Sequence, residues 1–451
     1  MKCCQFILYL LVFLQGSAQD LPANSLKSFL QLAEKNYPLL KSKALDVEAA
    51  QKGIDISKST IIPSLDASYQ LNYASFNNIT GMAYPQFLIP ISGPPSASNS
   101  MSGVFGSATS LLLNWQPVTF GQRQSQTDFA NAGLQYANAD AANQIFRHKV
   151  NVINAYLDVL TATELVKVFE ENLKRTEAGF AMVRTLVING IRPGVDSGLL
   201  KSEVSKAKIE LLNSRKNKEQ TLIGFTQLLV VDSIPAFDDS SYFNNLPSSY
   251  VIADSLKNPL LSLYTSSIEL SNARKKVISK TTMPTLGVWS TVYARGSGVE
   301  SNGPVKATDG LGFQRFNYGV GVQLSVPILQ FARIKPQLQQ QDLIIRSNKE
   351  KLNDISWQLK KQNELAETTL NSALDIVKEM PLFYESAAFS YRALLSRYQS
   401  GLANFADLIQ AQYALIKAET DQKLAYMGVW KAFLYKAAVD GNINLFINQV
   451  K

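Results

Sequence analysis

Two segments of the chain alternate regularly between apolar and polar positions. From Leu65 to Tyr73 every second residue is apolar and the intervening residues are polar, and the segment from Phe316 to Val326 alternates in the same way, with glycines among the polar positions. A period of two places the apolar side chains on one face of a β-strand. An apolar, aromatic face opposite a polar one is typical of outer-membrane barrel strands, which separate lipid from a wet lumen.

Two further strands are predicted, with less regular patterns, from Gly103 to Trp115 and from Thr285 to Arg295. The run Leu111 to Leu113 fills both faces of the first of these strands, so its orientation stays open. Turn-forming residues are frequent between the paired strands, and we expect long loops at 75–102 and 296–312.

Aromatic residues stand near the ends of the predicted strands, at Tyr73, Trp115, Trp289 and Phe316. Such residues form girdles at the two interfaces of a membrane. For Trp115 and Trp289, packing between strand and helix is an equally good interpretation.

Helical patterns surround each pair of strands. Short helices are predicted at 26–59 and 250–280, each ending before a proline. A helix of unusual length follows each strand pair, predicted at 123–187 and 333–398, and Pro381 predicts a kink within the second. Helices of this length need neighbours to pack against, so we expect coiled-coil struts.

Each long helix ends at a glycine, Gly190 or Gly401, after which a second helix is predicted to run back. Asp196 and Asp407 stand where an N-cap would accept hydrogen bonds from the first free amides of the return helix. The return helices are predicted at 197–229 and 407–439.

The two halves of the chain repeat these features in the same order. Pro38 and Pro259 are separated by 221 residues, Pro117 and Pro327 by 210, and the two turn glycines by 211. Repeats this long indicate one duplicated architecture, because solenoid repeats run to about 20–50 residues. The predicted boundaries are a signal peptide at 1–18, a first repeat at 19–240, a second repeat at 241–440 and a C-terminal tail at 441–451.

The first residues have the pattern of a secretory signal. Lys2 supplies the positive start, residues 6–14 form an apolar run, and Gly16, Ser17 and Ala18 form a small-residue cleavage site. Both cysteines of the chain precede the apolar run and are removed with the peptide. The mature protein is therefore predicted to have no disulfide and no thiolate metal site.

Composition argues against several classes of function. The formal charge of +8 falls to +7 without Lys2 and is spread along the chain, so no clustered patch predicts a nucleic-acid partner. A single histidine, His148, is predicted to lie on a solvated helix face and gives no metal-ligand set. We predict no cofactor and no catalysis, because a hydrolase would need a converging nucleophile and base, and the mature chain offers no cysteine, one histidine and no glycine-flanked serine elbow.

Beyond the signal, no stretch approaches the roughly 18 apolar residues of a membrane helix. If the protein crosses a bilayer, it must do so with strands. Four strands cannot close a barrel, and open edges in lipid leave backbone groups unpaired at several kcal/mol each. The strands must be completed by other copies of the chain, and the sequence pattern allows 8 or 12 strands from two or three chains.

At these residues the chain resembles the outer membrane efflux protein (TolC) family. The strand-exit segments QPVTFGQR and VPILQFAR and the turn segments NGIRPGVDSGLL and SGLANFADLIQAQYAL carry the resemblance. It implies an α+β membrane protein, a homotrimer in which a 12-stranded outer-membrane barrel, four strands per chain, continues into a long periplasmic α-helical coiled-coil barrel. It also implies a passive efflux or secretion duct in the bacterial outer membrane, reaching into the periplasm to an adaptor (membrane fusion) protein and an inner-membrane transporter.

The resemblance also implies roles for residues near the periplasmic turns. In the family the turn Asp of the second repeat narrows the entrance, an Asp of the first repeat takes part in links that hold it shut, and a tyrosine pairs with the latter. Asp407, Asp196 and Tyr398 match these positions. Gln410 stands where some members have a further acid, and Ala403 where some have an arginine.

Two alternatives remain at this stage. The acids Asp196 and Asp407 are interpreted equally well as helix caps alone or as caps that also gate. The whole chain is alternatively a periplasmic coiled-coil adaptor or a structural envelope protein, whose strand pairs would form a small soluble domain.

Overall fold

The computed structural model is a mixed helical and sheet structure in which both halves contain, in the same order, a helix, two long strands, a long helix and a return helix. It describes residues 25–75, 83–84, 87–88, 99, 101–235, 237–247, 257–299 and 306–449. The predicted signal peptide and most of the first loop lie outside the described residues. The first half contains α1 (Leu26–Asn36), α2 (Pro38–Ser59), β1 (Ser64–Ser75), β2 (Ala83–Tyr84), β3 (Phe87–Leu88), β4 (Gly103–Val118), α3 (Gln122–Ile188) and α4 (Gly194–Leu229). The second half contains α5 (Pro259–Lys280), β5 (Thr285–Ser297), β6 (Arg315–Ser325), α6 (Gln330–Gln399), α7 (Phe405–Val439) and α8 (Asn444–Ile447).

The first predicted helix is two helices in the structure. Tyr37 is extended, with ψ of 118°, between α1 and α2, because the ring of Pro38 disfavours helical geometry in the preceding residue. In the second half, α5 begins at Pro259, and the earlier part of that predicted helix includes residues 250–256, which are not described. Helix α6 continues through Pro381, and a kink there stays a prediction.

The chain divides into two compact units, each containing segments of both halves. The helical unit takes the described parts of 1–47, 137–265 and 350–451, and the sheet unit takes those of 48–136 and 266–349. The predicted repeat boundaries concern the sequence and stay a prediction. In the described part of the chain, no helix combines the length and the apolar character that crossing a bilayer requires.

The core of the helical unit is an aromatic cluster from both halves of the chain. Phe29 of α1 meets Phe225 of α4 edge to face, with 5.2 Å between ring centroids. Tyr242 meets Trp430 of α7 in the same way at 4.9 Å, and the Trp430 indole N–H donates to the Asn245 carbonyl at 3.1 Å. All four rings are buried. Burial of a large apolar side chain contributes about 1.5–3 kcal/mol, so this cluster holds α1, α4 and α7 in the unit.

His148 lies in this unit, and its predicted position on a solvated face is wrong. The side chain is only 5% exposed, and its ring stacks on that of Tyr37 at a centroid distance of 3.9 Å. Burial lowers the pKa of His148, and a hydrogen bond with the Leu228 backbone opposes that shift. The flanking Arg147 and Lys149 suggested a charged surface, but a helix turns about 100° per residue, so neighbours in sequence occupy different faces.

The sheet unit contains a four-stranded antiparallel sheet in the order β1-β4-β5-β6. The strand predictions are confirmed in number and order. Strand β4 is longer than predicted, ending at Val118, and carries an irregularity between Trp115 and Val118. Within the described residues, β1 and β6 each have one neighbouring strand in this sheet.

The register settles the orientation of β4, which the sequence left open. Leu111 lies opposite Ala67 of β1 and Val292 of β5, and directly opposed residues of antiparallel strands share a face. Leu111 and Leu113 therefore belong to the apolar face, and Leu112 belongs to the polar one. All four strands thus present a mainly apolar face, which Ser107, Thr109 and Ser290 interrupt.

The two tryptophans of the sheet do not form one interfacial girdle. Trp289 is paired with Gly321 and lies on the polar face, and a Cβ added to Gly321 would stand 2.7 Å from the indole. The glycine makes room for this ring. The indole N–H of Trp115 donates to the Ile61 carbonyl at 2.8 Å, so Trp115 joins its strand to the end of α2.

Candidate functional site: the paired helix turns

The two turns of the helical unit are built by the same local geometry. Gly190 and Gly401 have φ of +70° and +82°, a left-handed conformation that favours glycine. After each glycine an apolar residue closes a six-residue loop: the Ile191 N–H donates to the Leu186 carbonyl at 2.9 Å, and the Leu402 N–H to the Arg397 carbonyl at 2.8 Å. This is the Schellman ending of a helix, and it places both predicted turn glycines where the long helices stop.

The return helices begin differently from the prediction, and neither aspartate is an N-cap. Helix α4 begins at Gly194 after Pro193, which has no side chain able to cap it. Helix α7 is capped by Asn404, whose side-chain oxygen accepts the Asp407 backbone N–H at 2.8 Å. Asp196 and Asp407 are each the third residue of their helix. A carboxylate there still lies in the first turn, where the helix dipole stabilises negative charge by about 0.3–1 kcal/mol.

Asp196 and Tyr398 are brought together although they are 202 residues apart in the sequence. The Tyr398 hydroxyl donates to Oδ2 of Asp196 at 2.8 Å, and the two residues are 0% and 8% exposed. Burial first, and then the hydrogen bond to and charge of Asp196, raise the pKa of Tyr398 to about 12. The hydroxyl therefore stays a donor at physiological pH, and this bond links the end of α6 to the start of α4.

Arg192 completes this cluster, and sequence reasoning missed it. Its guanidinium carbon lies 4.1 Å from the centroid of the Tyr398 ring. One guanidinium nitrogen donates to the carbonyl of Tyr398 and, at 3.2 Å, to that of Ala403. A local rule does not find this contact, because an arginine near a helix end bonds the last carbonyls of its own helix, whereas Arg192 follows α3 and bonds carbonyls at and beyond the end of α6.

The Arg192 contact also follows the repeat. Arg192 and Ala403 are separated by 211 residues, as are the two turn glycines. The arginine of the first turn thus donates to the backbone of its counterpart in the second turn. The second repeat has Ala403 where the first has Arg192, and Arg192 of the same chain bonds the Ala403 carbonyl.

Asp407 and Gln410 are placed elsewhere. Both side chains are exposed on the first turns of α7, and the described hydrogen bonds do not join either side chain to the Asp196–Tyr398 pair. The carboxylate of Asp407 is therefore available to ions in solvent, whereas that of Asp196 is enclosed.

Further polar contacts fix the helices behind the turns. The side-chain amide of Gln412 donates to the Thr176 hydroxyl at 2.6 Å in a buried position. Arg175 donates to both carboxylate oxygens of Glu419 at 2.9 Å. Buried hydrogen bonds of this kind disfavour sliding between α3 and α7, because a displaced partner would be left unsatisfied. In the ranges that the structure describes, no group of three His, Cys, Asp or Glu residues is placed to hold a metal.

Comparison with known proteins finds one family model that matches the first half of the chain. The family model described as outer membrane efflux protein matches residues 29–229. The resemblance to the outer membrane efflux protein family is confirmed. No curated protein matches the chain in sequence.

Solved outer membrane channels have the same fold as this chain. CusC, a protein that forms a transmembrane channel, aligns with a TM-score of 0.76 at 13% identity, covering 93% of this chain and 92% of its own. The CmeC outer membrane channel of Campylobacter jejuni aligns with a TM-score of 0.71 at 14% identity, covering 92% and 85%. The open state of the MtrE outer membrane channel of Neisseria gonorrhoeae aligns with 0.71 at 16%, covering 93% and 89%. The predicted fold class and outer-membrane efflux character agree with these findings.

Proposed function

We propose that the protein is a trimeric outer-membrane channel for efflux or secretion, a passive duct gated at its periplasmic helix turns. The observation that carries this proposal is the four-stranded sheet, with one apolar face and a free edge at each side in the described residues. Tyr318 in edge strand β6 is 87% exposed, and its apolar neighbours in that strand are exposed as well. Lipid is the environment that favours such a face.

The free edges support assembly from several copies. An unpaired strand edge in hydrocarbon costs several kcal/mol for each unsatisfied backbone group. Pairing β6 of one chain with β1 of the next removes both edges when the ring closes. Three chains give 12 strands, the number that the family resemblance implies.

The cluster of Arg192, Asp196 and Tyr398 supports a gate at the turns. It joins the two turns within one chain by one buried hydrogen bond to a carboxylate and by backbone contacts. If a channel opens by separating these turns, the cluster stabilises the closed state. Asp407, exposed at the start of α7, is the carboxylate that we assign to the cation-binding constriction of the closed entrance.

The surface at the turns supports a periplasmic partner. Exposed apolar side chains gather there, at Ile188, Ile191, Val195, Leu199 and Leu402. Surfaces of this kind commonly mark protein contacts. We assign them to a periplasmic adaptor that connects the duct to an inner-membrane transporter, which supplies the energy. We assign no catalysis to the chain itself.

Introduced cysteines test the assembly. A cysteine replacing Tyr69 on β1 is combined in turn with cysteines replacing Phe316, Tyr318 or Val320 on β6, since the mature chain is predicted to contain no thiol. Mild oxidation is expected to give products of up to three linked chains for at least one pair. The matched control places the first cysteine at Leu111 on central strand β4, where a β6 partner from another chain is out of reach.

Conductance tests the function. The protein extracted from outer membranes is expected to contain three chains by native mass spectrometry and to conduct ions in planar bilayers. A soluble periplasmic monomer without conductance would instead support the adaptor alternative. Assemblies of two chains would contradict the proposed trimeric state but not the channel function.

A further inference from the structure

The sheet contains only three charged residues among its four strands: Asp66, Arg295 and Arg315. All three lie on the polar face. Arg295 is directly opposite Arg315 in the register of β5 and β6, so their side chains share that face. Both residues lie near the loop ends of their strands. The opposite end of β5 follows α5, and the opposite end of β6 leads into α6.

This pairing of like charges is unfavourable for the sheet itself. Like charges directly opposite each other in an antiparallel pair are destabilising. Within the described ranges neither guanidinium forms an ion pair, and the nearby Asp309 carboxylate lies 3.9 Å from the ammonium of Lys306. The next strands place uncharged residues opposite the pair, with Ala108 facing Arg295 and Gln70 facing Ala108.

The one acid of the sheet is distant from the pair. Asp66 is four residues before Gln70 on β1, which is about 13 Å along the strand. It is also separated from Arg295 by β4. At the ionic strength of a cell the Debye length is about 8 Å, so Asp66 compensates little of the positive charge.

Each guanidinium has a neighbour that limits its position. The Arg295 guanidinium carbon lies 5.7 Å from the centroid of the Tyr293 ring on the same face. Arg315 donates to the Gln314 carbonyl at 3.1 Å. A guanidinium offers five N–H donors. The contacts among the described residues use few of these donors, so most of them remain open to a ligand. Planar guanidinium groups match the geometry of carboxylate and phosphate oxygens.

We propose that Arg295 and Arg315 form a binding site for oxyanion groups, carboxylate or phosphate, at the outer mouth of the duct. The inference rests on the proposed function, which makes the polar face the lumen and repeats the pair in three chains. Six guanidiniums in one ring attract anions and pass them toward the exterior. The cargo groups that this mouth favours are anionic.

The test uses the unchanged trimer in planar bilayers with inorganic phosphate as the probe. A potassium chloride gradient gives the anion-to-cation permeability ratio, and phosphate added on the loop side measures block of the current. Three double variants are compared, Arg295→Gln with Arg315→Gln, Arg295→Lys with Arg315→Lys, and the polar-face control Asn317→Ala with Gln323→Ala.

The glutamine pair is expected to lower the permeability ratio about tenfold, the lower end of the enrichment that a charged cleft gives, and to abolish phosphate block. The lysine pair is expected to keep the permeability ratio but to weaken phosphate block, because an ammonium cannot bind two oxygens in a fork. The control is expected to match the unchanged protein.

Normal conductance in the glutamine pair with unchanged selectivity and unchanged phosphate block would overturn this inference while leaving the duct intact. Absence of any conductance from the unchanged protein would overturn the proposed function and this inference together. Native mass spectrometry of each variant shows whether trimers persist, so a folding defect is distinguished from loss of the site.

Discussion

Replacing Tyr398 by phenylalanine tests most directly the proposal that the cluster of Arg192, Asp196 and Tyr398 stabilises the closed turns. The change removes only the hydroxyl that donates to Asp196 at 2.8 Å. The ring keeps its position between the Arg192 guanidinium, 4.1 Å from its centroid, and the Phe405 ring, 6.2 Å away. The variant therefore isolates one hydrogen bond from the packing around it.

The expected size of the effect follows from burial and charge. A hydrogen bond to a charged group contributes about 1.5–3 kcal/mol, and an unsatisfied buried partner adds to its loss. If the bond forms only when the turns are closed, the closed state of the variant is destabilised by about that free energy in each chain. Since 1.4 kcal/mol is a tenfold change in equilibrium constant, the open fraction is expected to rise at least about tenfold per chain.

Single-channel recording of the purified trimer measures the open fraction, and entry of a large antibiotic into cells measures leakage. The matched control is Tyr391→Phe, because Tyr391 is also a buried tyrosine of α6, but its ring lies by Arg175 at 5.9 Å rather than by a carboxylate. Asp196→Asn keeps an acceptor and is expected to have a smaller effect than Tyr398→Phe. If intact Tyr398→Phe trimers open no more often than the Tyr391→Phe control, the hydrogen bond between Tyr398 and Asp196 does not stabilise the closed state.

Three further predictions concern other parts of the chain. Val320→Arg, on the apolar face of β6, is expected to destabilise the inserted trimer by about 2–4 kcal/mol, whereas Gln323→Arg on the polar face is tolerated; thermal dissociation in detergent compares them, and equal effects would contradict the assigned faces. Burial lowers the pKa of His148, so folded stability is full above the ordinary value of about 6.5 and declines as the pH falls towards the folded pKa. His148→Phe is expected to flatten that decline in melting temperature, and an unchanged slope would argue against it. Asn404→Ala removes the cap of α7 and is expected to cost about 0.5–2 kcal/mol, with Asn404→Ser restoring most of the loss in thermal unfolding; full stability of the alanine variant would show that the cap is dispensable.

The two turns show how a duplicated sequence comes to serve one site. Both end their long helix in the same way around a glycine with positive φ. Their return helices differ, since Asn404 caps one and Pro193 cannot cap the other. They also differ at one repeated position, where the first turn has Arg192 and the second has Ala403, and the site depends on this second difference because Arg192 bonds the Ala403 carbonyl.

Features with a local physical cause could be predicted from the amino-acid sequence alone. Alternation with a period of two fixed strands β1 and β6 and their apolar faces, and left-handed glycines fixed where α3 and α6 end. The repeated order of these signals also predicted the duplication. Each of these follows from a few neighbouring residues, so no partner elsewhere in the chain had to be known.

Features that depend on a distant partner became visible only in the folded chain. The face of Leu111 became clear only from its register with β1 and β5, and His148 is buried because Tyr37 and the Leu228 backbone cover it. The Asp196–Tyr398 bond was anticipated only through the family resemblance, and the contact of Arg192 was not anticipated at all. Hydrophobic period and capping rules report the conformation of a segment, but the choice among possible partners is made by packing between segments that lie far apart in the sequence.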